Sequence, residues 1–202
     1  MPYYFATMID ESLFILRYST PFEWVQTVLA DFDTFLIDHA QAEKKASGMA
    51  MSMLTHYPDK PELVNAMLDL SIEELAHFRE VMKLMHTRHL QLTPDEKDPY
   101  VNGLRQHIRK GTEHYMLDRL LTGAIIEARG CERFALIAQH HSCANLRDFY
   151  QRIADSEAKH HLLFIELACV YFDEPVVTQR LDELLTIEAD IVKNLPHRAA
   201  LH

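Results

Sequence analysis

From position 20 onward, apolar residues recur at alternating steps of four and three, and they do so four times along the chain. The first stripe is Val25, Leu29, Phe32, Leu36, His39, Glu43, Ala46, Ala50 and Met53. This spacing keeps one face of an α-helix apolar, because residues three and four apart lie above one another. Thr20-Pro21-Phe22-Glu23 has the form of a capping box with Pro at the first helical position, so a single long helix is expected until Pro58-Asp59 ends it. Asp59-Lys60-Pro61-Glu62 starts the second in the same way, with the stripe Leu63, Met67, Leu70, Glu74, His77, Val81 and Leu84. The third stripe runs Leu117, Leu120, Ala124, Glu127, Cys131, Phe134 and Ala138; the fourth runs Leu146, Tyr150, Ile153, Glu157, His160, Phe164, Leu167 and Tyr171. Pro175 interrupts the pattern, a shorter fifth helix follows to about Asn194, and the tail from Pro196 to His202 is expected to fray. In the long connection from His89 to about Thr112, Thr93-Pro94-Asp95-Glu96 is expected to cap a short helix.

The architecture predicted is all-α: one domain over 1–202, with an N-terminal extension at 1–20, a four-helix bundle at 21–172 and an extra helix at 175–195. Two of the connections are short, so the helices they join should form antiparallel hairpins.

Each stripe becomes polar near its middle. The seam there carries Glu43, then Glu74 and His77, then Glu127, then Glu157 and His160. Burying one carboxylate is costly and burying four together adds mutual repulsion, so something must compensate. Glu-x-x-His occurs twice, at Glu74–His77 and Glu157–His160, a motif that is weak alone. Its placement strengthens it. Glu43 precedes Glu74, and Glu127 precedes Glu157, by nearly equal intervals whose midpoints fall at Pro58-Asp59 and Ser142, the expected turns. Residues equidistant from a hairpin turn lie at one height, so Glu43 should face Glu74 and Glu127 should face Glu157. A Glu from each of two helices plus Glu-x-x-His from each of the other two is the ligand set of ferritin-like di-metal proteins. A set of oxygen and nitrogen donors without thiolate fits iron or manganese better than structural zinc. The alternative is a satisfied polar network without metal.

Around these six, His39 lies one turn before Glu43 and is either a support for it or a core histidine. Asp155 and Glu73 could hydrogen-bond ligand imidazoles. Glu132 could shift onto a metal, although an ion-pair network with Arg133 is the plainer reading. Cys131 reads as a small core residue.

Composition adds limits. Hydrophobic residues make up 48% and charged residues 25%, and only five glycines occur, which suits a helical protein. No apolar run approaches the roughly 18 residues of a membrane span. Met1 to Glu11 lacks a basic region and does not read as a signal peptide. Cys131, Cys143 and Cys169 form no disulfide framework or zinc pattern, so a reducing cytoplasm is the expected location. The net charge of −10 argues against a nucleic-acid partner, though two divalent metals would cancel about four charges at the site.

The segments Ile37-Asp38-His39-Ala40-Gln41-Ala42-Glu43-Lys44-Lys45-Ala46, Glu73-Glu74-Leu75-Ala76-His77-Phe78 and Ile126-Glu127-Ala128-Arg129-Gly130-Cys131-Glu132-Arg133-Phe134 closely resemble the MiaE family. So do Phe149-Tyr150 and Ser156-Glu157-Ala158-Lys159-His160, and the similarity runs from near Leu13 to about Tyr171. Gly130 and the Ser19-Thr20 pair depart from the family pattern at positions that are not ligands. The resemblance implies a tRNA hydroxylase acting on 2-methylthio-N6-isopentenyladenosine beside the anticodon. It further implies two non-haem irons, O2 as co-substrate and an external electron donor. Leu70, Val81, Leu120, Phe134, Ile153 and Phe164 would keep the site dry. Against an acidic background, the stretch ending at Gly111 is locally basic, and Arg105, Arg109 and Lys110 are candidates for tRNA phosphates, with solubilising surface charge as the alternative. Lys44, Lys45, Arg147 and Arg152 add further cations. A ferritin-like or rubrerythrin-like oxidase or peroxide scavenger would share the bundle and ligands without nucleic acid, and a non-enzymatic metal-binding bundle is a third class.

Overall fold

A computed structural model describes residues 16–202, so most of the N-terminal extension expected at 1–20, and the signal-peptide reading of Met1 to Glu11, lie outside the described residues. Seven helices and no strand occur among them: α1 (Phe22–Ala30), α2 (Phe32–His56), α3 (Pro61–Thr87), α4 (Pro99–Arg105), α5 (Thr112–His140), α6 (Ala144–Tyr171) and α7 (Glu174–Asn194). None is long and apolar enough to cross a membrane.

The long first helix expected from the stripe is two. Asp31 leaves helical geometry (φ −135°, ψ 61°), and its carboxylate accepts from the Thr34 amide at 3.3 Å, closing α1 and capping α2. The apolar period passes through the break unchanged, which is why spacing alone misses it. Thr20 does not cap α1. Pro21 occupies that position in extended geometry with no side-chain cap, and the Thr20 hydroxyl accepts from Arg133 instead. The short helix in the long connection begins later than expected, at Pro99. There Asp98 accepts from the amides of Tyr100 and Val101 at 2.8 and 3.2 Å.

The turns fall where the ligand spacing puts them, between His56 and Pro61 and between His140 and Ala144. In the α2–α3 hairpin the buried Ser47 and Ser71 hydroxyls lie 2.9 Å apart, each also within hydrogen-bond reach of the other's carbonyl, at 2.9 and 3.1 Å. Small side chains at this height let the two backbones approach.

The chain packs into two compact units built from interleaved segments. One comprises Thr20–Lys97, Arg133–Ala154 and Pro196–His202. Its core holds Trp24, Phe35, Leu36, Val81, Phe134, Tyr150 and Leu201. The segment after α3 is laid along α2: Gln41 donates to the Thr93 carbonyl at 2.9 Å, Lys44 pairs with Asp95 at 2.7 Å and Lys45 donates to the Glu96 carbonyl at 2.9 Å. Two lysines that looked like free surface charge therefore hold a strap. The tail, expected to fray, is docked. Leu201 is buried, its amide donates to Asp38 at 2.7 Å, and its carbonyl accepts from Arg133 at 2.5 Å. The Ala200 carbonyl accepts from the Trp24 indole at 3.2 Å. Partners far away in sequence supply what the tail's own composition does not.

The other unit comprises Asp98–Glu132 and Asp155–Leu195 with the described residues up to Ser19. Here the buried Asp118 accepts from both Arg109 and Arg180. Arg129, fully buried, is gripped at 2.8 and 3.0 Å by the two carboxylate oxygens of Glu188 on α7. Gly123 packs tightly against Phe164: a Cβ there would lie 3.0 Å from the ring, which would have to shift by a few tenths of an ångström.

Candidate metal centre

All six seam residues are buried, at 4% exposure for Glu43, 1% for Glu74, 9% for His77, 7% for Glu127, 2% for Glu157 and 3% for His160. The helix period places them there. Each sits on the stripe that faces inward, so the same pattern that buries the leucines buries the carboxylates.

On α2 and α3, His77 Nδ1 lies 3.6 Å from Glu74 Oε2 and 3.8 Å from Glu43 Oε2. These separations exceed hydrogen-bond length, but they suit atoms that share one cation, since two ligands each about 2.0–2.2 Å from an ion sit roughly 3–4 Å apart. On α6, His160 Nδ1 lies 3.0 Å from Glu157 Oε2. Donor atoms of Glu43, Glu74, His77 and Glu157 all lie within 4.8 Å of one another, and so do those of Glu74, Glu127, Glu157 and His160. Glu74 and Glu157 belong to both groups. Four carboxylates and two imidazoles converging in this way are chemically suited to hold divalent cations, which would neutralise charge that burial otherwise makes costly.

His39 is fully buried and touches a seam carboxylate: its Nε2 lies 2.5 Å from Glu43 Oε1, and its Nδ1 lies 3.2 Å from the Tyr150 hydroxyl. Tyr150 was legible in the sequence as a stripe residue two turns before Glu157 and as part of the Phe149-Tyr150 resemblance, with nothing to mark a role for its hydroxyl. Burial, then the nearby charge of Glu43, pushes that hydroxyl well above its ordinary pKa, so it remains a proton donor in its hydrogen bond. Glu132 is half-buried and paired with Arg129 at 2.5 Å. Asp155 and Glu73 are exposed. Burial, and next the charge of Glu157, pushes the Cys131 thiol up to about 11, so it stays protonated near neutral pH. The apolar residues expected to keep the site dry, Leu70, Val81, Leu120, Phe134, Ile153 and Phe164, are all buried.

Among the basic candidates, Arg105 and Lys110 are exposed. Arg109 is engaged within its own unit. Its backbone amide and its Nε and Nη2 all donate to Asp118, at 2.8, 3.1 and 2.7 Å. Burial alone would raise the Asp118 pKa; the hydrogen bonds from Arg109 and Arg180 outweigh it and hold the carboxyl below its usual range. The sequence gives no sign of this pairing, because Asp118 reads as one more charge at the start of a helix.

The family model described as tRNA-(MS[2]IO[6]A)-hydroxylase (MiaE) matches residues 7–202. A Pseudomonas putida protein named tRNA 2-(methylsulfanyl)-N(6)-isopentenyladenosine(37) hydroxylase is 34% identical over 97% of this chain and 95% of its own length. A Salmonella typhimurium protein of the same name is 32% identical over 77% of this chain, a match spanning 56% of that relative. Among solved structures, "Protein 43 with aldehyde deformylating oxygenase activity from Synechococcus" superposes with a TM-score of 0.88 at 35% identity, covering 93% of this chain and 94% of that one. The fold is thus all-α and ferritin-like, as the seam pattern predicted.

Proposed function

The chain belongs to the MiaE family of tRNA hydroxylases, and on that premise we propose that it hydroxylates the isopentenyl group of 2-methylthio-N6-isopentenyladenosine beside the anticodon of tRNA. The observation that carries the chemistry is the buried set of four glutamates and two histidines whose donor atoms converge in two overlapping groups. Two iron ions, when bound, would supply O2 activation and relay the electrons that the reaction consumes. Glu43, Glu74, His77, Glu127, Glu157 and His160 would hold the ions, and the two donor groups they form overlap at Glu74 and Glu157. In the balanced reaction one C–H bond becomes C–OH and the second oxygen atom leaves as water. Two electrons and two protons come from outside, so a separate electron donor is a required partner.

The protein's own contribution is placement and exclusion of water. The six buried apolar side chains, Phe134 and Phe164 among them, suit a prenyl group and keep solvent from the reacting carbon. The adenine must leave its stack to deliver that group, at a cost of a few kcal/mol that is smaller in an unpaired loop. Arg105 and Lys110 are exposed cations suited to tRNA phosphates, and Arg109 can add to them only with the part of its guanidinium that Asp118 leaves over. Replacing Arg105 and Lys110 should lower the salt slope of tRNA binding by about one unit per lost contact.

The test supplies reduced, iron-loaded protein with labelled O2, an electron source and prenylated tRNA, followed by digestion and mass analysis of nucleosides. One labelled oxygen atom in the hydroxylated nucleoside is expected. The Synechococcus neighbour favours a second reading, in which the same scaffold acts on an aldehyde; a parallel reaction with an aldehyde tests it. Oxygen consumption indifferent to both substrates, with no labelled hydroxyl, would leave an oxidase or peroxide scavenger as the function.

A further inference from the structure

The hydrogen-bonded chain Tyr150–His39–Glu43 is buried throughout and ends on a proposed ligand. We propose that Tyr150 is a positioning residue: by fixing the tautomer of His39, it commits one oxygen of Glu43 to the protein and leaves the other for the metal. The inference rests on the di-iron reading of the seam.

The direction of the chain follows from counting protons. The Tyr150 hydroxyl must donate one hydrogen, and its hydrogen-bond partner among the described residues is His39 Nδ1, at 3.2 Å. Nδ1 can accept only if it carries no proton. A neutral imidazole then bears its hydrogen on Nε2, which donates to Glu43 Oε1 at 2.5 Å. With the proton on Nδ1 instead, His39 would point a lone pair at a carboxylate oxygen and strand the tyrosine hydrogen in a buried site, a cost of about 1–3 kcal/mol for the unmet donor alone. The imidazole cannot turn away from this arrangement. Phe134 lies 4.6 Å from its ring centroid and Phe35 lies 6.0 Å away, while Tyr150 itself packs at 5.5 Å.

The consequence falls on Glu43. Oε1 is held by His39, and Oε2 is the oxygen near His77 Nδ1, at 3.8 Å. Glu43 is therefore presented through one oxygen. Support of this kind around a metal ligand is typically worth 10–100-fold in metal affinity.

The experiment is anaerobic Fe(II) titration of the metal-free full chain, with its thermal midpoint recorded alongside. Tyr150→Phe removes the hydroxyl and keeps the ring. Iron affinity should fall about 10-fold. In a His39→Gln background the amide nitrogen donates to Glu43 without needing Tyr150, so the same Tyr150→Phe change should leave affinity within about 2-fold. A merely structural tyrosine would act equally in both backgrounds. Unchanged affinity in Tyr150→Phe, or equal loss in the two backgrounds, overturns the inference while leaving the di-iron reading intact. If His39→Gln fails to fold, Tyr150→Phe is judged against Phe149→Leu, which disturbs the same aromatic packing without touching the chain of hydrogen bonds; equal losses again overturn it. A wild-type chain that takes up no iron overturns both readings.

Discussion

Removing Arg129 should cost more stability than removing any single surface charge, and the structure sets the size of the effect. Its guanidinium is fully buried and makes two bonds to Glu188, at 2.8 and 3.0 Å, one to Glu132 at 2.5 Å and one to the Tyr18 carbonyl at 2.8 Å. Glu188 is equally buried and also accepts from the Tyr100 hydroxyl at 3.1 Å. In Arg129→Met the aliphatic volume is kept and the charge is lost, leaving Glu188 as a buried anion with only a tyrosine to solvate it. Breaking a buried pair from one side costs about 3–5 kcal/mol, a large share of the roughly 5–15 kcal/mol that holds a domain together. The double variant Arg129→Met/Glu188→Leu removes the stranded charge, so it should regain about 2 kcal/mol or more of the loss despite carrying two substitutions. Urea unfolding of the metal-free protein, followed by circular dichroism, measures both. A single variant that loses less than about 1 kcal/mol, or a double variant whose loss is the sum of the two singles, would refute the reasoning.

The same physics gives three further expectations. Glu74→Ala and His160→Ala should each lower bound iron, read by metal analysis after anaerobic loading, while a Glu43→Ala/Glu127→Ala chain that retains full iron would refute the ligand assignment. Leu201→Ala should destabilise by about 2–4 kcal/mol, because the side chain is buried in the core and not frayed, and a change near zero in denaturant midpoint would return the tail to solvent. Asp118 has a lowered pKa in the folded state, so its pairing with Arg109 and Arg180 stabilises the protein above the unfolded carboxyl value of about 3.9 and is lost as pH falls further. Asp118→Asn should therefore destabilise at neutral pH and flatten the acid limb of the stability profile; an unaltered acid limb would refute the assignment.

Four long helices, two hairpin turns and the burial of the six polar seam residues were legible in the sequence because each is a local or periodic property. A period near 3.6 fixes which face is buried, and equal distances from Pro58-Asp59 and from Ser142 fix the heights at which Glu43 meets Glu74 and Glu127 meets Glu157. The substrate was legible only through family resemblance in segments such as Ile126 to Phe134; nothing in the ligand spacing names a nucleoside. The tertiary structure decided what the period cannot encode. Asp31 breaks a helix without breaking its stripe, since a cap depends on one backbone angle and not on spacing. Arg109 turns from a free cation into a clamp because Asp118 is buried and must be paired. The last residues dock because Trp24, Asp38 and Arg133, more than 60 positions away, offer the matching donors and acceptor. His39 meets the Tyr150 hydroxyl only once α2 and α6 are folded, since a hydrogen bond between residues 111 apart is specified by packing and by no motif in the chain.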